Sequence, residues 1–268
     1  MRKRTIVTAV LVFVLCAGVL PAGAQEAVEP QRIEITGADG QLLVGFYYVP
    51  AAPSPAGAPD SGAAPTTVPP TPTLPASEGS PGVLLLHMIG ADNESWASLT
   101  PALTQAGYAT LAVDMRGFGE TGGAQDWGLA EQDTHLWLDW LADQPEVDPN
   151  RLNIVGASVG ANLALRAMAQ DNRVVTTVAL SPGAEYWGVT TEEAMAGVGD
   201  RPLYFIASQG DTYSAGSVWY LAAMTQGDTA VRVYPQDAHG TDILQGLVGV
   251  GMEIVDWMTY QNHRSSLP

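Results

Sequence analysis

Thiols are almost absent from this sequence. The chain has 268 residues and a single cysteine, Cys16, which lies in an amino-terminal segment that we expect to be removed. The mature chain would then have no disulfide, no cysteine–zinc site and no cysteine nucleophile. Its 46% hydrophobic residues can still build a sizeable core, which excludes a wholly disordered chain and a disulfide-stapled miniprotein.

Basic residues are also scarce. Lys and Arg together number 11 against 28 Asp and Glu, a net charge of −17. Such a surface repels phosphate backbones and anionic lipid head groups, so we expect no nucleic-acid partner. No internal repeat is apparent, and the length fits one domain.

The amino terminus has the pattern of an export signal. Arg2, Lys3 and Arg4 precede an uncharged apolar run over residues 6–20, and an Ala-x-Ala sequence ends at Ala24. We predict a signal peptide over residues 1–24, cleaved after Ala24, and a secreted or periplasmic protein with no stable membrane insertion afterwards. The alternative is an uncleaved membrane anchor, although the run is shorter than the roughly 20 residues of a membrane-spanning helix.

Residues 50–81 differ sharply in composition from the rest of the chain. They consist mainly of Pro, Ala, Ser, Thr and Gly, which cannot bury enough surface to offset the chain entropy lost on folding. We predict a disordered insertion at 50–81 within a single domain over residues 25–268. A spacer or tether to the cell wall is the functional alternative.

Outside this insertion the sequence predicts one mixed sheet. RIEIT (32–36) and LLVGFYYV (42–49) alternate well enough to form a hairpin around the turn residues ADG (38–40). Continuous apolar runs follow, which favour parallel strands covered on both faces. They are GVLLLHM (82–88), YATLAVDM (108–115), RLNIVG (151–156), VVTTVAL (174–180), PLYFIAS (202–208) and AVRVYP (230–235).

Helix-like segments separate these runs, over residues 94–106, 130–142, 159–169, 214–224 and 244–259. The alternation predicts an α/β fold with a mostly parallel central sheet of about eight strands and helices on both faces. Ligands of such sheets bind beyond the carboxyl ends of the strands, so polar residues just after each strand are candidate site residues.

A glycine-flanked serine lies between a strand and a helix, in GASVG (156–160). A sharp strand-to-helix turn exposes the serine hydroxyl at the sheet edge, which makes Ser158 the candidate nucleophile. The same turn places the Val159 N–H at the helix start, where it can stabilise an oxyanion. The structural alternative is an ordinary helix-capping serine.

A serine nucleophile needs a base and a carboxylate. Among the four histidines, His239 alone follows a late strand, and Asp211 follows the strand before it. The order Ser158, Asp211, His239 is that of nucleophile, acid and base in α/β-hydrolases. The alternatives are a solvent-exposed loop histidine and an acidic turn residue.

The segment after the first parallel strand supplies the second oxyanion donor. We choose the N–H of Ile89, with Met88 as the alternative. His87 is interpreted as a structural histidine that hydrogen-bonds near this segment. Asp114 and Arg116 are interpreted as a partly buried pair that orients the adjoining loops.

Residues 32–260 resemble the α/β-hydrolase superfamily, and most of all its small bacterial dienelactone-hydrolase-like and carboxylesterase-like members. The motifs that carry the resemblance are LLLHMIG (84–90), AVDMRGFGET (112–121), NIVGASVGAN (153–162), ASQGD (207–211) and DAHGTDIL (237–244). The resemblance implies a serine hydrolase that acts through an acyl-enzyme, with Ser158, Asp211 and His239 at the triad positions and no metal or organic cofactor.

This chain departs from the family at three points that concern its substrate. Dienelactone hydrolases have a cysteine at the position of Ser158, a glycine is common at the position of Met88, and the Pro-rich insertion is not a family feature. We therefore expect a small-molecule carboxylic ester as the substrate, and leave a lactone open. Thioesterase, lipase and peptidase activities, or a catalytically inactive exported binding module, are the alternatives.

The stretch between the strands at 174–180 and 202–208 is too short for a large helical cap, so we expect a fairly open pocket. Its candidate walls are aromatic or apolar side chains, and core packing is the alternative for each of them. They are Tyr186, Trp187, Met195, Tyr213 and Trp219. The sequence leaves the oligomeric state open.

Overall fold

The computed structural model describes residues 29–50 and 79–266. The predicted signal peptide and most of the predicted insertion lie outside these residues. The carboxyl end of the predicted insertion is part of a strand that starts at Ser80. Ser80 donates its N–H to the Glu146 carbonyl at 2.6 Å and pairs with Val147, so backbone hydrogen bonding continues further toward the amino terminus than the composition indicates.

Eight strands form one sheet, and two short ones form a separate hairpin. The strands are Gln31–Thr36 (β1), Leu42–Tyr48 (β2), Ser80–Leu86 (β3), Ala109–Asp114 (β4), Val147–Ala157 (β5), Val174–Leu180 (β6), Glu185–Tyr186 (β7), Val189–Thr190 (β8), Leu203–Ser208 (β9) and Thr229–Tyr234 (β10). The sheet order is β1-β2-β4-β3-β5-β6-β9-β10. Strands β1 and β2 are antiparallel to their neighbours at one edge, and the other pairs are parallel.

Helices cover both faces of this sheet. They are Thr100–Gln105 (α1), Trp127–Ala142 (α2), Val159–Gln170 (α3), Glu192–Val198 (α4), Thr212–Ala222 (α5), Asp242–Gly246 (α6) and Val250–Ser265 (α7). Alternate side chains of β3 divide between the two cores: Leu84 packs with α2, α3 and α5, and Leu85 packs with α1 and α7. The predicted fold class is confirmed.

Two predicted helices are each interrupted in the structure. Residues 94–106 form a 3₁₀ helix over Asn93–Trp96 and then α1, which restarts at a proline in its first turn. Residues 244–259 are divided between α6 and α7, because α6 ends at Gly246 and the backbone is extended at Leu247. Helix α7 starts only after Gly249, whose φ is 104°. None of the described helices combines the length and apolar character needed to span a bilayer.

Candidate active site

Ser158 lies on a strained turn between β5 and α3. Its φ and ψ are 56° and −121°, a conformation that costs a non-glycine residue on the order of 1–3 kcal/mol. The turn is held against the neighbouring strand, because the Ser158 N–H donates to the Leu180 carbonyl at 2.8 Å. Helix α3 starts at Val159, whose N–H belongs to the first turn and has no partner within the helix.

Two glycines allow this turn to pack closely. A Cβ on Gly156 would lie 2.3 Å from the Gly160 carbonyl oxygen. A Cβ on Gly160 would lie 2.4 Å from the Leu86 carbonyl oxygen and 2.5 Å from that of His87. Only glycine fits at either position, because the atoms in the way are backbone atoms: those of α3 for Gly156, and those of Leu86 and His87 for Gly160. The amino end of α3 therefore lies directly against the segment that follows β3.

Asp211 and His239 are joined by a hydrogen bond. His239 Nδ1 donates to Asp211 Oδ2 at 2.7 Å, which leaves Nε2 as the nitrogen free to accept a proton. Asp211 caps the amino end of α5, where its side chain accepts the Ser214 N–H. Burial raises the pKa of Asp211, but hydrogen bonds from Ser214 and His239 outweigh this effect, so its pKa lies below the ordinary value. Asp211 is therefore ionised at neutral pH.

The loop that carries His239 lies next to the Ser158 turn. The Gly240 N–H donates to Ser181 Oγ at 3.0 Å, and a Cβ on Gly240 would lie 3.4 Å from the Ala157 Cβ. The residue after His239 thus contacts the residue before Ser158. The Ser158 hydroxyl itself has no hydrogen-bond partner among the described residues, so the structure forms the Asp–His link and not the Ser–His link.

His87 fixes the segment that carries the predicted second oxyanion donor. Its Nδ1 donates to the Met88 carbonyl at 2.7 Å, and its Nε2 accepts the Met115 N–H at 2.9 Å. A ring that donates from one nitrogen and accepts at the other is neutral. Burial lowers the pKa of His87, which favours this neutral form. The described peptide bonds are all trans, so the Ile89 N–H points away from the Met88 carbonyl and from His87. The assignment of Ile89 as the second oxyanion donor, with Met88 as the alternative, stays a prediction.

The comparisons with known proteins agree with this architecture. The model of the Alpha/beta hydrolase family matches residues 83–263, more than half of the chain. The protein belongs to the alpha/beta hydrolase family. A putative hydrolase of Bacillus subtilis, YtaP, is 26% identical over 174 residues, which are 58% of this chain and 57% of that protein. The chain thus matches little more than half the length of this relative.

Solved alpha/beta hydrolase structures share the fold at low identity. A dienelactone hydrolase from Anabaena variabilis has a TM-score of 0.61 and 18% identity, over 88% of this chain and 98% of that one. The Pyrococcus furiosus esterase Pf2001 has a TM-score of 0.65 and 17% identity, over 87% of this chain and 93% of that one.

Asp114 and Arg116 of this alpha/beta hydrolase have structural partners. Asp114 accepts backbone N–H groups from Asn93 at 2.8 Å and from Glu120 at 2.7 Å, which ties two loops to the end of β4. Arg116 binds the carboxylates of Asp133 and Asp39. The prediction that these residues orient the adjoining loops is confirmed. The prediction that they pair with each other is wrong, because Asp114 accepts N–H groups of Asn93 and Glu120, whereas Arg116 binds Asp39 and Asp133.

Four aromatic side chains form a continuous row beside the hydrolase site. The row consists of Phe118, Trp127, Trp187 and Tyr186, with successive ring centroids 6.3, 6.0 and 5.7 Å apart. Tyr213 contacts Tyr186 edge-on at 5.6 Å. Of the predicted walls, Tyr186, Trp187 and Tyr213 therefore belong together.

Met195 and Trp219, the other two predicted walls, do not belong to the row. Met195 is 2% exposed in the core beside α3, and Trp219 is 60% exposed on α5. Sequence reasoning missed Phe118 and Trp127. Their positions gave a signal for such a role. Phe118 lies in the loop after β4 and Trp127 lies at the start of α2, and both places are at the carboxyl edge of the sheet.

A hydrogen bond joins this row to the Asp211 side of the site. The Tyr186 hydroxyl lies 2.9 Å from Ser214 Oγ, and Ser214 N donates to Asp211 at 3.3 Å. Burial raises the pKa of Tyr186 to about 12, so the phenol keeps its proton at neutral pH. The same hydroxyl is near enough to the Ser158 side chain to affect this pKa, although Ser158 Oγ lacks hydrogen-bond geometry to any described group.

Metal chemistry has no evident centre in the described part of the hydrolase. Residues 29–50 and 79–266 contain no group of three or more His, Cys, Asp or Glu side chains arranged to hold a metal ion.

Proposed function

We propose that this protein is an exported serine hydrolase that cleaves carboxylic esters, with Ser158 as the nucleophile, His239 as the base and Asp211 as the acid. The observation that carries the proposal is the 2.7 Å Asp211–His239 hydrogen bond beside the left-handed Ser158 turn. Export rests on the sequence of residues 1–24, which lie outside the described structure. The esterase and dienelactone hydrolase neighbours support the proposal at the level of the fold.

The first half of the proposed reaction forms the acyl-enzyme. His239 Nε2 takes the Ser158 hydroxyl proton as the oxygen attacks the ester carbonyl carbon. The carbonyl π electrons move onto its oxygen, and the Ile89 and Val159 N–H groups donate to this oxyanion. The ionised Asp211 stabilises the imidazolium. When the C–O bond to the alcohol breaks, imidazolium returns its proton to the departing oxygen.

The second half releases the acid. His239 removes a proton from water as the water oxygen attacks the acyl carbon, and the same N–H groups stabilise the second oxyanion. The Ser158 oxygen then departs and takes the proton from imidazolium, which restores the resting enzyme. Each oxyanion donor is expected to contribute about 10²–10³-fold to the rate, by analogy with donor deletions in other hydrolases.

The test is covalent labelling with a fluorophosphonate probe, followed by peptide mass mapping. We expect modification of Ser158 in the intact protein and none in Ser158→Ala. Asp211→Asn is expected to lower kcat for 4-nitrophenyl acetate about 10⁴-fold, because an amide cannot hold the required histidine tautomer. A thioester and a peptide assayed beside a graded series of esters would identify the preferred bond.

A catalytically inactive binding module is the second candidate. It is favoured by the burial of Ser158, which is 1% exposed, and by the missing Ser–His hydrogen bond. Purified protein that stays unlabelled while circular dichroism shows the native fold would support this candidate over the hydrolase.

A further inference from the structure

The aromatic row spans the candidate site from one side to the other. At one end the Phe118 ring meets His87 edge-on at 5.3 Å, and His87 holds the Met88–Ile89 segment. At the other end the Tyr186 ring meets His239 edge-on at 6.2 Å. The reacting carbonyl has to lie between that segment and His239. Ser158 is only 1% exposed, and the Tyr186 hydroxyl of the row is near enough to its side chain to affect the pKa of Tyr186.

Trp187 occupies the middle of the row. Its indole stacks on Trp127 at an interplanar angle of 28° and on Tyr186 at 29°, so the indole plane is within 30° of the ring plane of each neighbour. Offset stacks with centroids about 4.5–7 Å apart are the favourable geometry for aromatic rings. Trp187 is nevertheless 51% exposed. It bridges its two neighbours without being held in the core.

The backbone at Trp187 is poorly suited to tryptophan. Trp187 and Gly188 form the two-residue loop of the β7–β8 hairpin, with φ values of 47° and 84°. Positive φ at both positions is the pattern of a type I′ turn, which favours Asn-Gly. A bulky residue in this left-handed region is strained. The turn therefore gains nothing from tryptophan, and the stacked indole offers a separate reason for its presence.

The described residues place no unpaired lysine or arginine side chain near the row to bind a charged substrate group. The described residues include no lysine. Each described arginine is engaged by carboxylates or by backbone carbonyls of other segments. These are Arg32, Arg116, Arg151, Arg166, Arg173, Arg201, Arg232 and Arg264. The charge near the hairpin is acidic, since Glu185 accepts the Gly188 N–H. An anionic group would be repelled.

We propose that the position of the Trp187 indole, between Trp127 and Tyr186, is the subsite for an uncharged, flat aromatic group of the ester substrate. The hairpin carries the indole outward as this group enters and stacks in its place. The proposal rests on the proposed function and adds the substrate class. Stacking is worth about 0.5–1.5 kcal/mol beyond burial, so it predicts about a 2–13-fold preference for a flat ring over a saturated one.

The test compares ethyl phenylacetate with ethyl cyclohexylacetate. Both place a six-membered ring one methylene away from the carbonyl, so they differ mainly in ring flatness. We expect kcat/KM of the wild type to favour phenylacetate by about 2–13-fold, after division by the ratio of alkaline hydrolysis rates. The two boronic acids with the same rings, as competitors of fluorophosphonate labelling, give the same comparison without turnover.

Three variants locate the preference. Trp127→Leu removes one stacking wall and is expected to bring the ratio close to one. Trp187→Asn keeps a favourable turn and vacates the subsite, so KM for phenylacetate is expected to fall while the preference persists. Trp219→Leu removes an exposed tryptophan outside the row and serves as the matched control, with an unchanged ratio.

The outcomes separate this inference from the proposed function. Equal values for the two esters in the wild type, or a preference that survives Trp127→Leu, would overturn the aromatic subsite while Ser158 labelling still supports the hydrolase. An unchanged KM in Trp187→Asn would overturn the displacement of the indole. Absence of Ser158 labelling would instead remove the proposed function itself.

Discussion

The Ser158 turn and the aromatic row lie side by side but are constructed in opposite ways. Ser158 and Val159 are 1% and 0% exposed, and the two glycines of the turn lie against backbone atoms of α3, Leu86 and His87. Trp187 in the row is 51% exposed and is positioned by neighbouring rings about 6 Å away. Backbone packing therefore fixes the position of Ser158, whereas contacts between side chains form the row.

This difference separates reaction chemistry from selectivity. A turn that excludes even one methyl group cannot vary without moving the backbone at Ser158 and Val159. A row of partly exposed rings can change its shape at small cost to stability, because surface substitutions are generally tolerated. We therefore expect variants of the turn to affect every ester alike, and variants of the row to affect some esters more than others.

In the comparison of the turn with the row, the largest effect is expected for Gly160→Ala in the turn. The new methyl group would collide with the Leu86 and His87 carbonyl oxygens, 2.4 and 2.5 Å away. We expect unfolding free energy in urea to fall by about 1–3 kcal/mol, and kcat/KM for 4-nitrophenyl acetate to fall about 100-fold as the donors separate.

Gly216→Ala is the matched control for this substitution. Gly216 lies within α5, and a Cβ there meets no atom within 4 Å. Alanine is the better helix residue by about 0.5–1 kcal/mol, so the control should be slightly more stable than the wild type. If Gly160→Ala resembled this control in stability and activity, the turn would not be rigidly packed.

An intermediate effect is expected from pH, through His87 beneath the same segment. Burial lowers its pKa in the folded protein, whereas the unfolded chain binds the proton below about pH 6.5. Above that pH, neutral His87 therefore makes its full contribution to the free energy of unfolding. This contribution is lost as the pH falls from about 6.5 toward the lower pKa that His87 has in the folded protein. The slope reaches at most about 1.4 kcal/mol per pH unit.

Urea denaturation between pH 6.5 and 5.5 measures this slope. His87→Gln can keep a donor and an acceptor but does not titrate, so we expect a shallower slope in the variant than in the wild type. The other histidines and the carboxylates are common to both proteins and cancel in the comparison. Equal slopes would mean that the folded protein accommodates a protonated His87.

The smallest expected effect is that of Tyr186→Phe in the row. The variant keeps the ring and loses the hydroxyl that lies 2.9 Å from Ser214 Oγ. One neutral hydrogen bond is worth about 0.5–1.5 kcal/mol, so we expect kcat/KM to fall about 2–13-fold. The control is Tyr204→Phe, which loses a hydrogen bond to the Glu253 carboxylate on the face of the sheet covered by α7. This control should leave kcat/KM unchanged. Equal values for both variants would restrict Tyr186 to steric contact with substrate.

Much of the fold was predictable because its signals are local. Apolar runs with short spacing predicted the parallel strands, and the turn residues at 38–40 predicted the edge hairpin. The helix breaks between Trp96 and Thr100 and between Gly246 and Val250 were missed, although Pro101 and Gly249 lie next to them. The β7–β8 hairpin was also missed, because strands of two residues carry almost no periodic signal.

The candidate site was predictable only in part. Chain order and strand ends are sufficient to nominate Ser158, Asp211 and His239. His87 accepts the N–H of Met115, which lies 28 residues further along the chain. Arg116 likewise has partners 77 and 17 residues away in the chain. Neither arrangement has a local sequence signature.

The sequence by itself determined where the strands lie, where the backbone must turn at Ser158, and in which order the chemical groups follow. These features arise from interactions within a few residues, namely side-chain periodicity and the steric freedom of glycine. Only the tertiary structure decided which carboxylates bind Arg116, that His87 accepts the Met115 N–H, and that four aromatic rings from three separate segments meet in one row. Those contacts join residues far apart in the chain, and packing alone brings them together.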